Sequence, residues 1–251
     1  MPPGLPAKFA SWAEAALSFI YPDVCQLCGM NRATKAQGYV CSDCQAKVRF
    51  IEPPFCECCG LPFEGAITAT FECSNCREME LHFASARSAV VAREPVLDAI
   101  HHYKYDGQMW FEEFLSDLFI RGASDWFREH DTDALIPVPL FPVKERERGF
   151  NQAERLARRL GKAVNVPVRT DLLKRVLPTP SQTRLSRAQR AENMREAFAL
   201  KTRARLDGAA VALIDDVFTT GATTSACAKL LLNAGTGRVV VWTVARAEFR
   251  G

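Results

Sequence analysis

Apolar positions along this chain change their period twice. Over residues 84–92 (ASARSAVVA) apolar and polar residues alternate loosely, the period of a strand with one covered face. Pro95 stands where a helix begins well, and 96–105 reads as that helix. From Met109 to Glu129 the spacing is helical, with Trp110, Phe111, Phe114, Leu115, Leu118 and Phe119 on one broad apolar face. After residue 134 strands, loops and helices follow in turn. ALIPVP (134–139) is a short buried strand, 152–160 a basic helix closed by Gly161 just past its end, and 166–172 a weaker strand. The apolar run AAVALI (209–214) fits a parallel strand covered on both faces and ending at Ile214. A helix over 223–233 stops before Gly235, and RVVVWTVA (238–245) is the next strand. Such alternation predicts an α/β fold: a parallel sheet with crossover helices.

Between residues 22 and 83 the chain follows neither period. Residues 9–21 (FASWAEAALSFIY) predict an amphipathic helix occupying the N-terminal stretch 1–20. A missing basic flank and Glu14 at its centre argue against a signal peptide, and no apolar run reaches the roughly 20 residues that a membrane span needs. The expected location is therefore the cytoplasm, without stable membrane insertion. Eight of the ten cysteines form four C-x-x-C pairs, all before residue 77. Cys25/Cys28 is followed by Gly29 and then Cys41/Cys44, and Cys56/Cys59 by Gly60 and then Cys73/Cys76. Pro22 and Pro53 precede the two units at the same offset, so the region is an internal repeat. Paired C-x-x-C units without a leader read as tetrahedral Zn²⁺ sites rather than disulfides. The tandem order pairs 25/28 with 41/44 and 56/59 with 73/76, with a cross-braced pairing of 25/28 and 56/59 as the alternative. With four sulfur ligands and no open position, each zinc is expected to be structural; Cys58 is left over.

Charge separates the halves. Residues 1–133 hold 11 Lys/Arg against 19 Asp/Glu, whereas 134–206 hold 17 against 6. A basic middle of this kind meets phosphates or nucleic acid, or merely presents solvated faces.

The segment VALIDDVFTTGATT (211–224) is the most informative. Two carboxylates, Asp215 and Asp216, emerge at the carboxyl end of a buried strand, where open α/β sheets place their ligands. Thr219, Thr220, Gly221, Ala222 and Thr223 follow as a small-residue loop opening into a helix. Its backbone N–H groups and hydroxyls can close on a phosphate, helped by the helix dipole. Adjacent acids repel unless something cationic or hydroxyl-rich lies beside them.

LIDDVFTTGAT resembles the phosphoribosyl-pyrophosphate motif of type I phosphoribosyltransferases. The resemblance implies that Asp215 and Asp216 hold the ribose hydroxyls, that the loop wraps the 5′-phosphate, and that Mg²⁺ bridges ribose and pyrophosphate. IPVP (136–139) and the basic stretch through RGFNQ (148–152) occupy the place of that family's pyrophosphate loop, making Lys144, Arg148 and Gly149 its expected donor contacts. PSQTRLSRAQRAEN (180–193) occupies the place of the flexible closing loop, with Arg190 as a contact. Asp215, Asp216 and Arg148 are the candidate catalytic set. Lys104, within HHYKYDG, matches a family position more weakly. RGFNQ, the spacing of Gln182, Leu185, Arg190 and Asn193, and the cysteine module together make the chain similar to the ComF competence-protein family over about residues 18–247. That likeness implies a double zinc ribbon at 21–80, a phosphoribosyltransferase-like domain at 84–251, and a part in uptake or use of external DNA.

No motif for a base-binding hood is present, and His82, His101, His102 and His130 form no evident general-base arrangement. Sugar-phosphate binding is thus better founded than any particular transfer. The competing functions are a transferase with an unnamed acceptor, a non-enzymatic DNA-handling adaptor that keeps the site as a sensor, and a zinc-ribbon transcription factor, which leaves the acids unused. Single-stranded DNA and proteins of the uptake machinery are the expected macromolecular partners.

Overall fold

The computed structural model describes residues 23–63, 65, 71, 73–77, 80–178, 196–201 and 206–248. The expected N-terminal helix and the 180–193 segment, with Arg190, lie outside them. Each cysteine repeat folds alike. A knuckle turns back on itself (Gly29 N–H to Cys25 O, 2.9 Å; Gly60 N–H to Cys56 O, 2.8 Å). A short antiparallel bridge follows, Val24 with Arg32 and Phe55 with Pro62. A short helix then starts directly after the third cysteine: α1 (Ser42–Ala46) and α2 (Ser74–Arg77).

The rest runs β1 (Ser85–Val91), α3 (Val96–Tyr105), α4 (Phe111–Glu129), β2 (Ala134–Pro137), α5 (Pro142–Arg148) and α6 (Gln152–Val164). A hairpin of β3 (Leu173–Arg175) and β4 (Phe198–Leu200) follows, then β5 (Ala210–Phe218), α7 (Ala222–Asn233) and β6 (Arg238–Arg246). Four strands form one sheet in the order β1-β6-β5-β2, every pair parallel. Side chains alternate across it. Ala212, Ile214, Val240, Trp242 and Val244 pack under α4 and α6, against Leu115, Phe119, Leu156 and Leu160. Val211, Leu213, Val239 and Val241 pack on the opposite face with Ala228 and Leu231 of α7. Covering both faces is what allows the strands to be so uniformly apolar.

The ribbons belong to these cores. Cys25, Cys41 and Cys44 lie in the α4 cluster and Cys56, Cys59, Cys73 and Cys76 in the α7 cluster. Residues 49–51 run antiparallel along β1 (Ile51 N–H to Ala89 O, 3.0 Å; Val91 N–H to Arg49 O, 2.9 Å) and cover that edge of the sheet.

Four expectations are corrected. Residues 166–172 form no strand: Val168 makes a single bridge to Leu135, because Pro167 lacks the N–H that would extend the ladder. Gly161 does not end the basic helix, which continues to Val164 and is capped by Asn165 in the left-handed region (φ 56°). A Cβ on Gly161 would sit 2.6 Å from the Val166 carbonyl, so the glycine is needed for the tight return of the chain. The basic stretch before Gly149 is the helix α5, not a loop. Finally, β5 runs through both acids to Phe218, since its hydrogen bonding to β6 continues as far as Arg246. Among the described residues, no helix is long and apolar enough to cross a membrane.

Candidate sugar-phosphate site and metal centres

Because Asp215 and Asp216 lie within a strand, they point to opposite faces. Each is pinned by the next backbone amide: Asp216 N–H donates to Asp215 Oδ1 (2.9 Å) and Val217 N–H to Asp216 Oδ1 (2.8 Å). Asp216, 4% exposed, pairs through Oδ2 with the Lys104 ammonium from the last turn of α3. Burial pushes the Asp215 carboxyl up to about 6, against the pull of Lys104, Arg175 and Arg148. Burial likewise lowers the Lys104 ammonium to about 8, opposed by Asp215. Arg148 is brought down by burial too, and its guanidinium lies 5.5 Å over the Tyr105 ring while bonding Gln152. The two carboxylates, on opposite faces of β5, and the cations Lys104, Arg148 and Arg175 therefore meet at the carboxyl end of that strand.

Beyond β5 the chain turns through Thr219 and Thr220 into α7. Gly221 caps this helix in the left-handed region (φ 81°), and a Cβ there would lie 2.6 Å from the Phe218 ring. No other residue type fits that turn without strain. Gly221 has no side chain to cap α7; Thr220 Oγ1 accepts only from the Ala222 N–H (3.4 Å), which leaves the next N–H groups of the first turn for a ligand. Thr224 Oγ1 donates to Gly221 O (3.1 Å) and holds the loop to its helix. Asp215, Thr219, Gly221, Ala222 and Thr223 line one shallow pocket there.

Of the other expected contacts, Arg148 stands in the electrostatic field of Asp215, Gly149 (φ 83°) closes α5, and Lys144 is exposed on α5. Asn151 caps α6, accepting from Ala153 N–H (3.0 Å) while its amide donates to Val138 O (3.1 Å), which ties the RGFNQ stretch to the end of β2. The basic middle is partly neutralised internally. Buried Glu112 receives Arg155, Arg159 (3.2 Å) and the Tyr103 hydroxyl (3.1 Å), and Arg158 pairs with Glu154 (2.7 Å). The histidines serve locally: His102 Nδ1 lies 2.6 Å from Asp106, and His130 stacks on Trp126. Sequence reasoning ranked Lys104 low and overlooked Arg175, Glu112 and Arg246. A lone arginine ending the apolar run RVVVWTVAR was the available signal for the last.

The eight cysteines converge as two tandem sets, Cys25/Cys28/Cys41/Cys44 and Cys56/Cys59/Cys73/Cys76, and not in the cross-braced arrangement. In the first, Sγ atoms of Cys25 and Cys44, and of Cys28 and Cys41, are 3.8 Å apart. In the second, Cys56–Cys76 is 3.9 Å and Cys59–Cys73 3.6 Å. A tetrahedron with Zn–S bonds of about 2.3 Å has edges of about 3.8 Å, so the donors fit zinc. Backbone amides stabilise thiolate: Cys41 N–H points to Cys25 Sγ and Cys73 N–H to Cys56 Sγ (3.3 Å each), and the amides of Asn31 and Met30 draw Cys28 down to about 6. Thiols this close cannot all ionise without a cation among them. Cys58 stays outside both sets.

The tandem clusters have a counterpart among known proteins. The profile of the double zinc ribbon domain matches residues 16–79. Competence protein F of Haemophilus influenzae is 32% identical over 216 residues, 84% of this chain and 92% of that protein. This chain belongs to the competence protein F family. The DNA utilization protein YhgH of Salmonella typhimurium is 29% identical over 228 residues, covering 90% of this chain and 97% of that one. Competence protein ComFC of Streptococcus pneumoniae is 27% identical over 194 residues, 69% of this chain and 80% of that protein. Among solved structures, the purine phosphoribosyltransferase of Pyrococcus horikoshii overlaps 54% of this chain and 84% of its own, at 16% identity and a TM-score of 0.35.

Proposed function

We propose that this member of the competence protein F family binds phosphoribosyl pyrophosphate, or a related sugar phosphate, with Mg²⁺ at the carboxyl end of β5. We further infer that it serves uptake or use of external DNA from the cytoplasm. One observation carries the reading: adjacent carboxylates, Asp216 buried and Asp215 half-buried, precede a glycine-capped helix N-terminus, with Lys104 and Arg148 converging on them. The carboxylates suit the ribose hydroxyls, the α7 amides and threonines suit the 5′-phosphate, and the cations suit the diphosphate. The donor set is hard oxygen, which fits Mg²⁺, and the ion when bound would neutralise the diphosphate. Asp215, Asp216 and Arg148 are the residues assigned to any transfer of the phosphoribosyl group.

Phosphoribosyl pyrophosphate with Mg²⁺ is expected to raise the melting midpoint of the wild-type chain, since a ligand specific for the folded state stabilises it by mass action. The Asp215→Asn/Asp216→Asn variant is expected to fold and to show no shift; an equal shift in both removes the assignment. Pyrophosphate release in the presence of candidate acceptors separates a transferase from an adaptor.

A second reading, contact with single-stranded DNA, is favoured by the names competence protein and DNA utilization protein among the relatives and by the net charge of residues 134–206. Binding that falls steeply with salt supports it, because neutralised phosphates release counterions. No binding at low salt would leave any DNA role to partner proteins.

A further inference from the structure

Arg246, at the end of β6, is among the largest fully buried side chains of the molecule, with 1% of its surface exposed. It sits across from Phe218 in the β5–β6 register. Its Nε donates to Cys59 O (3.0 Å) and Nη2 to Cys59 Sγ (3.3 Å), so one edge of the guanidinium grips a ligand of the second metal cluster. Nη1 donates to the carbonyls of Thr219 (3.1 Å) and Phe218 (3.4 Å), the first turn of the phosphate loop. The guanidinium carbon lies 4.8 Å from the centre of the Phe218 ring, the same ring that a Cβ on Gly221 would strike. One cation thus spans the thiolates and the loop.

A second tie runs beside it. Ser225 in the first turn of α7 accepts from His82 N–H (3.0 Å) and donates to Glu80 O (3.3 Å), just past the last cysteine of this cluster. The first cluster is built otherwise. Its polar neighbour is the neutral Asn31 amide, 3.8 Å from Cys41 Sγ and bonded to Asp43. That cluster packs with α4, on the face of the sheet away from α7.

Four thiolates around one divalent zinc carry a net charge of −2, and a hydrogen-bonding cation is the partner such a centre favours. Without the metal the four side chains are no longer held at tetrahedral spacing, and Cys59, whose carbonyl and Sγ both accept from Arg246, is free to shift. Arg246 then loses the fixed edge that sets its orientation, and with it the hold on Thr219.

We propose that Arg246 is a positioning residue that couples metal at Cys56/Cys59/Cys73/Cys76 to the order of the phosphate loop, so that losing this zinc, and not the other, loosens residues 219–224 and weakens anion binding there. The loop amides and the zinc are independent of the donor's identity; only the binding arm rests on the function proposed above.

The experiment uses the full zinc-loaded chain. Hydrogen exchange at amides 219–224 is read in the absence of ligand, with β2 amides as internal reference. Cys76→Ser breaks the second cluster while keeping Cys59, and Cys44→Ser breaks the first. The expected result is exchange at 219–224 at least about tenfold faster in Cys76→Ser, wild-type exchange there in Cys44→Ser, and an unchanged reference in both. Arg246→Gln is expected to surrender one of the two zinc ions to a chelator about tenfold faster, with Arg246→Lys restoring part of the retention. Phosphoribosyl pyrophosphate binding should weaken in Cys76→Ser and Arg246→Gln but not in Cys44→Ser. Wild-type exchange in Cys76→Ser, or equal loosening in both cysteine variants, overturns the coupling. If Arg246→Gln fails to fold, the two cysteine variants decide. If the wild-type chain binds no donor, the sugar-phosphate reading falls and the exchange comparison still decides the coupling.

Discussion

Asp215→Asn should make the ligand-free protein more stable while removing its response to the sugar-phosphate donor. The carboxyl of Asp215 is raised from 3.8 to about 6 by burial, net of attraction to Lys104, Arg175 and Arg148. A shift of roughly two units is about 3 kcal/mol of cost for holding the charge at neutral pH. Asn keeps the shape and an oxygen for the Asp216 N–H, and it carries no charge. Allowing for relaxation around the acid, the expected gain is about 1–3 kcal/mol, a rise of about 3–8 °C in the melting midpoint for a chain of this size. The sign with pH follows from proton binding. Between about 4 and 6 the folded wild type holds a proton that the unfolded chain has released, so this contribution to stability is complete below about 4 and is lost as pH rises through about 6. The gap between variant and wild type should therefore be widest above pH 7 and nearly close at pH 4. Denaturant melts at pH 4, 5.5 and 7.5 read this directly. A variant less stable than wild type at pH 7.5, or a gap that does not change with pH, refutes the buried-charge account of Asp215.

Three further outcomes are expected. Donor binding should follow a bell in pH, rising through about 6 as Asp215 ionises and falling above about 8 as Lys104 loses its charge; titration calorimetry should show Lys104→Met abolishing the upper limb. Gly221→Ala puts a Cβ 2.6 Å from the Phe218 ring at φ 81°, and should cost about 1–3 kcal/mol in thermal melts as well as the donor response. The purified chain should carry about two zinc ions by mass spectrometry, and stripping them should expose reactive thiols, since each cluster supplies all four ligands.

Much of this was legible because it is local. The strands over 84–92 and 238–245, the helix over 96–105 and the loop-to-helix turn at Gly221 follow from period and from single residues with no substitute. The eight ligands follow from spacing; the fold decides for the tandem pairing over the cross-braced one, each cluster closing within 20 residues of chain. What failed to show depends on partners distant in sequence. The β5 strand runs through both acids because β6 continues beside it to Arg246, and a window ending at Ile214 holds no trace of that neighbour. Lys104 matches a family position only weakly in sequence, yet it meets Asp216 across 112 positions because α3 and β5 converge at one edge of the site. The excess of positive charge over 134–206 likewise misled in part. Arg155 and Arg159 answer Glu112 from the acidic half of the chain, so part of that basic face is fastened inward.

The same long-range packing changes what the ribbons are for. A zinc ribbon has little apolar core, and its fold draws on metal binding. Here each ribbon also surrenders its cysteines to a core of the sheet, one on either face, while residues 49–51 cover β1. Gly38 and Gly60 mark how close the approach is: a Cβ would stand 2.6 Å from Phe114 N and 2.7 Å from Ala86 O. Such contacts leave no room for a ribbon that swings free as a separate nucleic-acid reader on these faces. They fasten the ribbons to the sheet, and through Arg246 and Ser225 the second cluster reaches the loop that would hold the phosphate.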